Sequence, residues 1–328
     1  MTTKHLVDPE LVAMLDMFPG LSLTAESLPQ TRAFLKEMNA QTPSDLPDFS
    51  AISVSEHHVP GLQGEPDVRV LVYIPKNVST PLPALLWIHG GGYVFGSAEQ
   101  DDLQVKSIVS TVECAAVSVD YRLAPETPHP GPVEDCYAAL KWLYMHAGEL
   151  GVDATRIAIG GASAGGGLTA GLALLTRDRG EVPLAFQLLI YPMLDDRTVT
   201  AAEPHPYTGE YIWTTDANRF GWTALLGQEP GGPDVSPYAA AARAEHLEGL
   251  PSTFISVGAL DLFLEEDLEY ARRLMRAGVP TELHVYSGAF HGFNMVAGAK
   301  VVRSFVRDQL DALTRAFSKS ESVQKSRE

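Results

Sequence analysis

Two short amphipathic stretches open the chain. Leu11, Met14, Leu15 and Phe18 repeat at helical spacing behind Asp8 and Pro9, a good cap and a good first-turn residue, and Pro19-Gly20 is predicted to stop that helix. Phe34, Leu35 and Met38 mark a second helix, followed by polar punctuation at Pro43, Pro47 and Asp48. From residue 51 the pattern changes to short apolar runs ending in turn residues. Residues 68–74 alternate like a partly exposed strand, whereas 84–88, 115–119, 157–159, 186–190, 254–257 and 283–286 are compact apolar runs suited to strands buried on both faces. Helical stretches are predicted between them at 132–148, 163–178, 264–277 and 299–317. Such alternation predicts an α/β fold, a mostly parallel central sheet flanked by helices. Residues 194–237 break the rhythm: they are rich in Pro, Gly and aromatics and too long for an ordinary connection, so they read as a functional insertion. A polar tail from Ser318 is expected to fray.

Composition narrows the classes. A chain of 328 residues, 45% hydrophobic and 20% charged, is globular and long enough for one large core or two ordinary ones. Lys plus Arg is 24 against 41 Asp plus Glu, a net charge of −17, so neither nucleic acid nor a membrane surface is an expected partner. The two cysteines, Cys114 and Cys136, are too few for a secreted disulfide framework or a four-cysteine zinc site. The first nine residues lack the apolar core of a signal peptide, and no apolar run approaches membrane-spanning length. A soluble, cytoplasmic protein is expected.

The strongest chemical signal is Gly161-Ala162-Ser163-Ala164-Gly165, placed after an apolar strand and at the head of a helix. A sharp strand-to-helix turn would hold Ser163 in a strained conformation at the sheet edge, and only small neighbours leave room for it. Gly165-x-Gly167-x-x-Ala170 also fits a loose dinucleotide fingerprint, but that motif should begin directly after its strand, and here Gly160 to Ala164 intervene. The second signal is His89-Gly90-Gly91-Gly92-Tyr93, again just after a strand. Consecutive glycines let backbone N–H groups approach a developing oxyanion. His89 precedes the serine and reads as a brace for this loop rather than a base.

A serine hydroxyl needs a base and an acid that orients the base. Of the histidines after Ser163, His205 and His246 lie in or just after the insertion and His284 inside a strand. His291 sits in the loop that follows that strand and is the favoured base. Asp261 follows the 254–257 strand by a short loop and is the favoured acid; Asp267, Asp195 and Asp196 are the alternatives.

At these residues the chain resembles the hormone-sensitive-lipase-like family of α/β-hydrolases, the bacterial carboxylesterases with a His-Gly-Gly-Gly loop, and within it the heroin-esterase type. Three further motifs carry the resemblance: the run from Asp120 through Tyr121, Arg122, Leu123, Ala124 and Pro125 to Glu126, with Pro132 and Asp135 downstream; Tyr191-Pro192-x-Leu194-Asp195; and Phe290-His291-Gly292-Phe293. Two positions depart from the family pattern. Ala162 stands where Asp or Thr is usual, and Asp261 is followed by Leu262 rather than Pro, with Glu265-Glu266-Asp267 in place of Asp-Glu-Gly.

The resemblance implies Ser163 as nucleophile, His291 as base, Asp261 as its orienter, and an oxyanion hole from the N–H groups of Gly91, Gly92 and Ala164. It implies N-terminal cap helices over 1–48 and an α/β-hydrolase catalytic domain over 49–328, with a cap insertion at about 196–235. The expected reaction is hydrolysis of small-molecule, short-acyl esters through an acyl-enzyme, with no metal and no organic cofactor. An amidase or acyltransferase could use the same triad, and a non-catalytic receptor on this fold would have lost the histidine. Aromatic residues of the cap and loops, Tyr93, Tyr211, Trp213, Phe220 and Phe290, are expected to line the substrate pocket. A homodimer is expected through the outer part of the sheet, where the 281–286 strand would want covering.

Overall fold

A computed structural model describes residues 2–17, 23–40, 47–76 and 81–318. Two helices come first, α1 (Val12–Met17) and α2 (Leu28–Ala40), then strands β1 (Ile52–Val59), β2 (Val68–Pro75) and β3 (Leu82–Ile88). The middle of the chain supplies α3 (Asp102–Val112), β4 (Ala115–Asp120), α4 (Gly131–Met145), β5 (Val152–Ala162), α5 (Ala164–Arg179) and β6 (Phe186–Ile190). After a long excursion holding α6 (Thr215–Leu226) come β7 (Ser252–Gly258), α7 (Leu264–Arg276), β8 (Thr281–Tyr286) and α8 (Lys300–Ser318).

The eight strands form one sheet in the order β1-β2-β4-β3-β5-β6-β7-β8. β1 and β2 join it antiparallel, and every pairing from β4 to β8 is parallel. Alternation along each buried strand feeds two cores. On β3, Ala84, Leu86 and Ile88 pack with residues of α4, α5, α6 and α7. Leu85 and Trp87 face the other way and pack with α1, α3 and α8. All seven β3 residues are buried, which is why its run carries no polar positions.

Four elements differ from the sequence reading. The first helix begins at Val12 rather than beside Asp8, because Asp8 closes a turn instead: its carboxylate accepts from the Glu10 N–H at 2.8 Å and its carbonyl from the Leu11 N–H at 2.8 Å. Its expected end at Phe18, Pro19 and Gly20 lies outside the described residues, as do Pro43 and most of the C-terminal tail. β1 was not expected, since only its terminal residues Ile52 and Val59 are buried; backbone register with β2 holds it, not an apolar face. α3 and α6 were also unforeseen, although each carried a signal. Val105, Ile108 and Val109 give α3 a buried stripe. For α6, Thr214 caps the first turn and Gly227 ends it in the left-handed region.

Among the described residues no helix is long and apolar enough to cross a membrane.

Candidate active site

The turn between β5 and α5 is the centre of the site. Ser163 adopts φ 57°, ψ −122°, a conformation unfavourable for a residue with a Cβ, and it is held there from both sides. Its N–H donates to the Ile190 carbonyl at 2.9 Å, and its carbonyl accepts from the Met193 N–H at 3.0 Å. Close packing of the elbow on β3 fixes the small neighbours: a Cβ on Gly165 would stand 2.1 Å from the Ile88 carbonyl oxygen.

Two other strand ends bring the partners in. After β7, Asp261 is fully buried, and its Oδ1 accepts from the Phe263 N–H at 3.0 Å. Its Oδ2 is left for the loop after β8, where His291 Nδ1 lies 2.8 Å away. The Nδ1 proton goes to that carboxylate, so Nε2 offers its lone pair to the Ser163 hydroxyl at 2.9 Å. Tyr191 and Phe263 meet the imidazole edge-on, with centroids at 4.7 and 5.1 Å, and fix its plane. Backbone bonds tie the two loops together, with the Leu260 N–H donating to the Ala289 carbonyl at 2.9 Å.

The competing candidates are occupied elsewhere. His284 lies on β8 between Glu282 at 2.8 Å and Asp308 at 3.3 Å. Asp195 pairs with Arg197, and Asp196 is buried against Arg243 at 2.6 Å. Asp267 is buried on α7 with neither oxygen hydrogen-bonded among the described residues, and burial pushes its carboxyl well above the usual range. Beside it, Glu265 is exposed, while Glu266 is buried and accepts from the Leu194 N–H at 2.6 Å and from the Thr198 hydroxyl. Glu266 therefore pins the chain leaving β6.

His89 braces the glycine loop. Its Nδ1–H donates to the Gly90 carbonyl at 2.7 Å, and its ring stacks on Tyr121 at 4.3 Å. Burial holds its pKa below the ordinary histidine value. The Arg122 motif buttresses the same loop. Its guanidinium is held by buried Asp135 at 2.7 Å, and two residues on the Ala124 N–H donates to the Tyr93 carbonyl at 3.0 Å. Gly91, at φ 121°, accepts from the Val94 and Phe95 N–H groups at 3.0 Å. Among the described residues the N–H groups of Gly91, Gly92 and Ala164 enter no such bond. Gly92 has no room for a side chain, because a Cβ would stand 2.2 Å from the Trp213 ring.

A cavity of about 370 Å³ opens over Ser163 and His291. Of the five aromatics expected to line it, Trp213 does. The other four are spent on packing. Tyr93 is fully buried, with its hydroxyl on the Met193 carbonyl at 3.0 Å and its ring against Trp222. Phe290 points into the core next to His291 and meets Tyr211 at 5.8 Å. Tyr211 bonds the Thr2 hydroxyl at 3.2 Å, and Phe220 is half-buried against the core. In a tight loop adjacent side chains diverge, so proximity in sequence to His291 misplaced Phe290. The N-terminal helices were expected as a cap, and α2 lends Phe34, Leu35 and Met38 to the lining; the part that was not anticipated comes from the approach to α3 and its first turn (Gln100, Asp101 and Gln104). The helical stripe on α2 was visible in the sequence and a cap role was expected for it, but which of its residues would reach the cavity was not.

Among the described residues no group of three His, Cys, Asp or Glu side chains is placed to hold a metal.

The chain is similar to known hydrolases over most of its length. A family profile described as the α/β-hydrolase fold matches residues 85–295. The chain is 36% identical over 292 residues to the carboxylesterase NlhH of Mycobacterium tuberculosis, covering 88% of each. It is 32% identical over 300 residues to the esterase LipI of the same organism, covering 90% of each. Among solved structures, a bacterial heroin esterase superposes with a TM-score of 0.89 at 43% identity, covering 96% of this chain and 99% of that one.

Proposed function

The chain belongs to the hormone-sensitive-lipase-like branch of the α/β-hydrolase family and is a carboxylic-ester hydrolase, and on that premise we propose that it works as a serine esterase through an acyl-enzyme intermediate. The observation that carries this reading is the unbroken chain from the Ser163 hydroxyl to His291 Nε2 at 2.9 Å and from His291 Nδ1 to Asp261 at 2.8 Å. Ser163 attacks the ester carbonyl as His291 takes its proton. Asp261 holds the imidazole in the tautomer that can accept that proton and stabilises the imidazolium that forms. The N–H groups of Gly91, Gly92 and Ala164 stabilise the tetrahedral oxyanion, and His291 then protonates the departing alcohol. Water activated by the same imidazole releases the acid.

Short acyl groups fit the site best. A cavity of about 370 Å³ lies near the lower end of the roughly 300–1,000 Å³ typical of small-ligand pockets. Its lining by Phe34, Phe95 and Trp213 suits aryl alcohols. Hydrolysis of aryl esters from acetyl to palmitoyl should peak at about two to six carbons, as a pocket of that size requires. A steady rise with chain length would defeat the short-acyl reading. Anilide and acyl-acceptor assays run in parallel separate hydrolysis of esters from the amidase and transferase uses of the same triad.

A further inference from the structure

Among the described residues that line the cavity, Asp101 is the single carboxylate, and neither lysine nor arginine accompanies it. It occupies the N-cap position of α3, where an Asp ordinarily turns back to accept a backbone N–H, yet its side chain makes no capping bond. Instead Oδ2 accepts from the buried Trp87 Nε1–H at 2.8 Å. The Gln100 amide, itself part of the lining, is its other polar neighbour. Asp101 enters no ion pair among the described residues. Burial holds the pKa of the nearby His89 below its ordinary value, although its attraction still acts to lower that of Asp101.

Satisfying the Trp87 N–H would need only a neutral oxygen. A carboxylate that faces no Lys or Arg in a pocket walled by Phe95, Tyr191 and Trp213 is costly to ionise unless a ligand supplies a positive charge. We propose that Asp101 is a specificity-determining residue that selects esters carrying a cationic nitrogen, with the neighbouring aromatic rings as the surface on which an alkylammonium rests. This rests on the esterase reading above. Burial also pushes the Asp101 carboxyl above its usual range, and a bound cation is the partner that would restore its charge. The net charge of −17 draws cations to the molecule as a whole, but that attraction is screened by salt and a contact in the cavity is not.

Two matched pairs test the proposal. One sets acetylcholine against its neutral carbon isostere, 3,3-dimethylbutyl acetate. The other sets nitrophenyl esters whose acyl chain ends in dimethylammonium against those ending in isopropyl. With salt raised to about 0.5 M to suppress long-range attraction, the cationic member of at least one pair should show a kcat/KM about tenfold higher or more. Asp101→Asn, which keeps an oxygen for Trp87, should bring that ratio close to one, whatever it does to the absolute rates. A ratio near one in the parent for both pairs, or a preference that Asp101→Asn leaves intact, overturns the proposal. Should that variant fail to fold, the parent alone decides. Phenyltrimethylammonium should inhibit hydrolysis of a neutral ester more strongly than tert-butylbenzene, and equal inhibition sinks the idea. If neither member of any pair were turned over, the esterase reading would fall and take this proposal with it.

Discussion

Ser163, His291 and Asp261 meet from three separate strand ends, with His291 bonded to both of the others. They should therefore fail as a unit. Ser163→Ala and His291→Ala are each expected to lower kcat by roughly 10⁴-fold or more, and the double variant to lose little beyond that. His284→Ala, whose imidazole is held by Glu282 and Asp308, should keep most of the activity, and the reverse outcome in folded protein would reassign the base. A second residue-scale effect concerns stability. Asp267 is buried with neither oxygen hydrogen-bonded among the described residues, so its carboxyl ionises less readily in the folded chain than in the unfolded one. Its contribution is thus fully present below about pH 3.9, the ordinary Asp value, and falls as pH rises toward the higher folded-state value. Substitution Asp267→Asn removes that dependence. Its melting temperature relative to the parent should climb between pH 4 and pH 8, and a difference that stayed flat with pH would mean the carboxyl has a partner. The choice of Ser163 and His291 was legible from motif and chain order alone. Nothing local marked Asp267, since an Asp three residues into a helix ordinarily faces water, and only the packing of α7 on the sheet buries it.

At the scale of elements, α2 matters most because it walls the cavity while lying far from the triad in sequence. One residue fastens it. The Arg32 guanidinium donates to the Val94 carbonyl at 2.7 Å, to the Ala124 carbonyl at 2.9 Å and to both Glu126 oxygens. Val94 follows the glycine loop and the Ala124 N–H bonds the Tyr93 carbonyl, so the latch joins a wall of the cavity to that loop. Arg32→Ala should raise KM for aryl esters several-fold with a smaller change in kcat, and amide exchange across residues 28–40 should quicken. If both stayed at the parental values, the burial of Leu28 alone would be holding the helix. The ion-pair half of the latch is mostly solvent-exposed and adds little energy. Its pH window still follows. Arg32 holds the Glu126 carboxyl down at about 2, so that contribution is present above the ordinary Glu value near 4.3 and fades as pH falls toward 2. Periodicity was enough to identify α2 and would have been enough for α3, while its cap and stop residues would have marked α6. It could not identify β1, whose outward residues are polar and whose place depends on β2.

For the whole molecule, β8 is the last strand of the sheet, and its surface includes Val285 at 44% exposure. Pairing of two copies through this edge is the expected homodimer, and light scattering at micromolar concentration should return twice the chain mass of 35.4 kDa. A monomeric mass would dispose of it. The sequence by itself determined the strand–helix alternation, the mostly parallel sheet and the serine at its turn, because those follow from period, turn chemistry and the steric demands of an elbow. Chain order narrowed the base and the acid to a few residues each. Which of these meet was decided by tertiary structure: sheet order sets β7 and β8 beside one another, and their loops converge on Ser163 only once the strands are in register. The pocket lay further out of reach. Tyr93 and Phe290 are buried in the cores while Phe34 and Asp101 line the cavity. An aromatic or an acid reads the same in either place, because burial depends on what the rest of the chain packs against it.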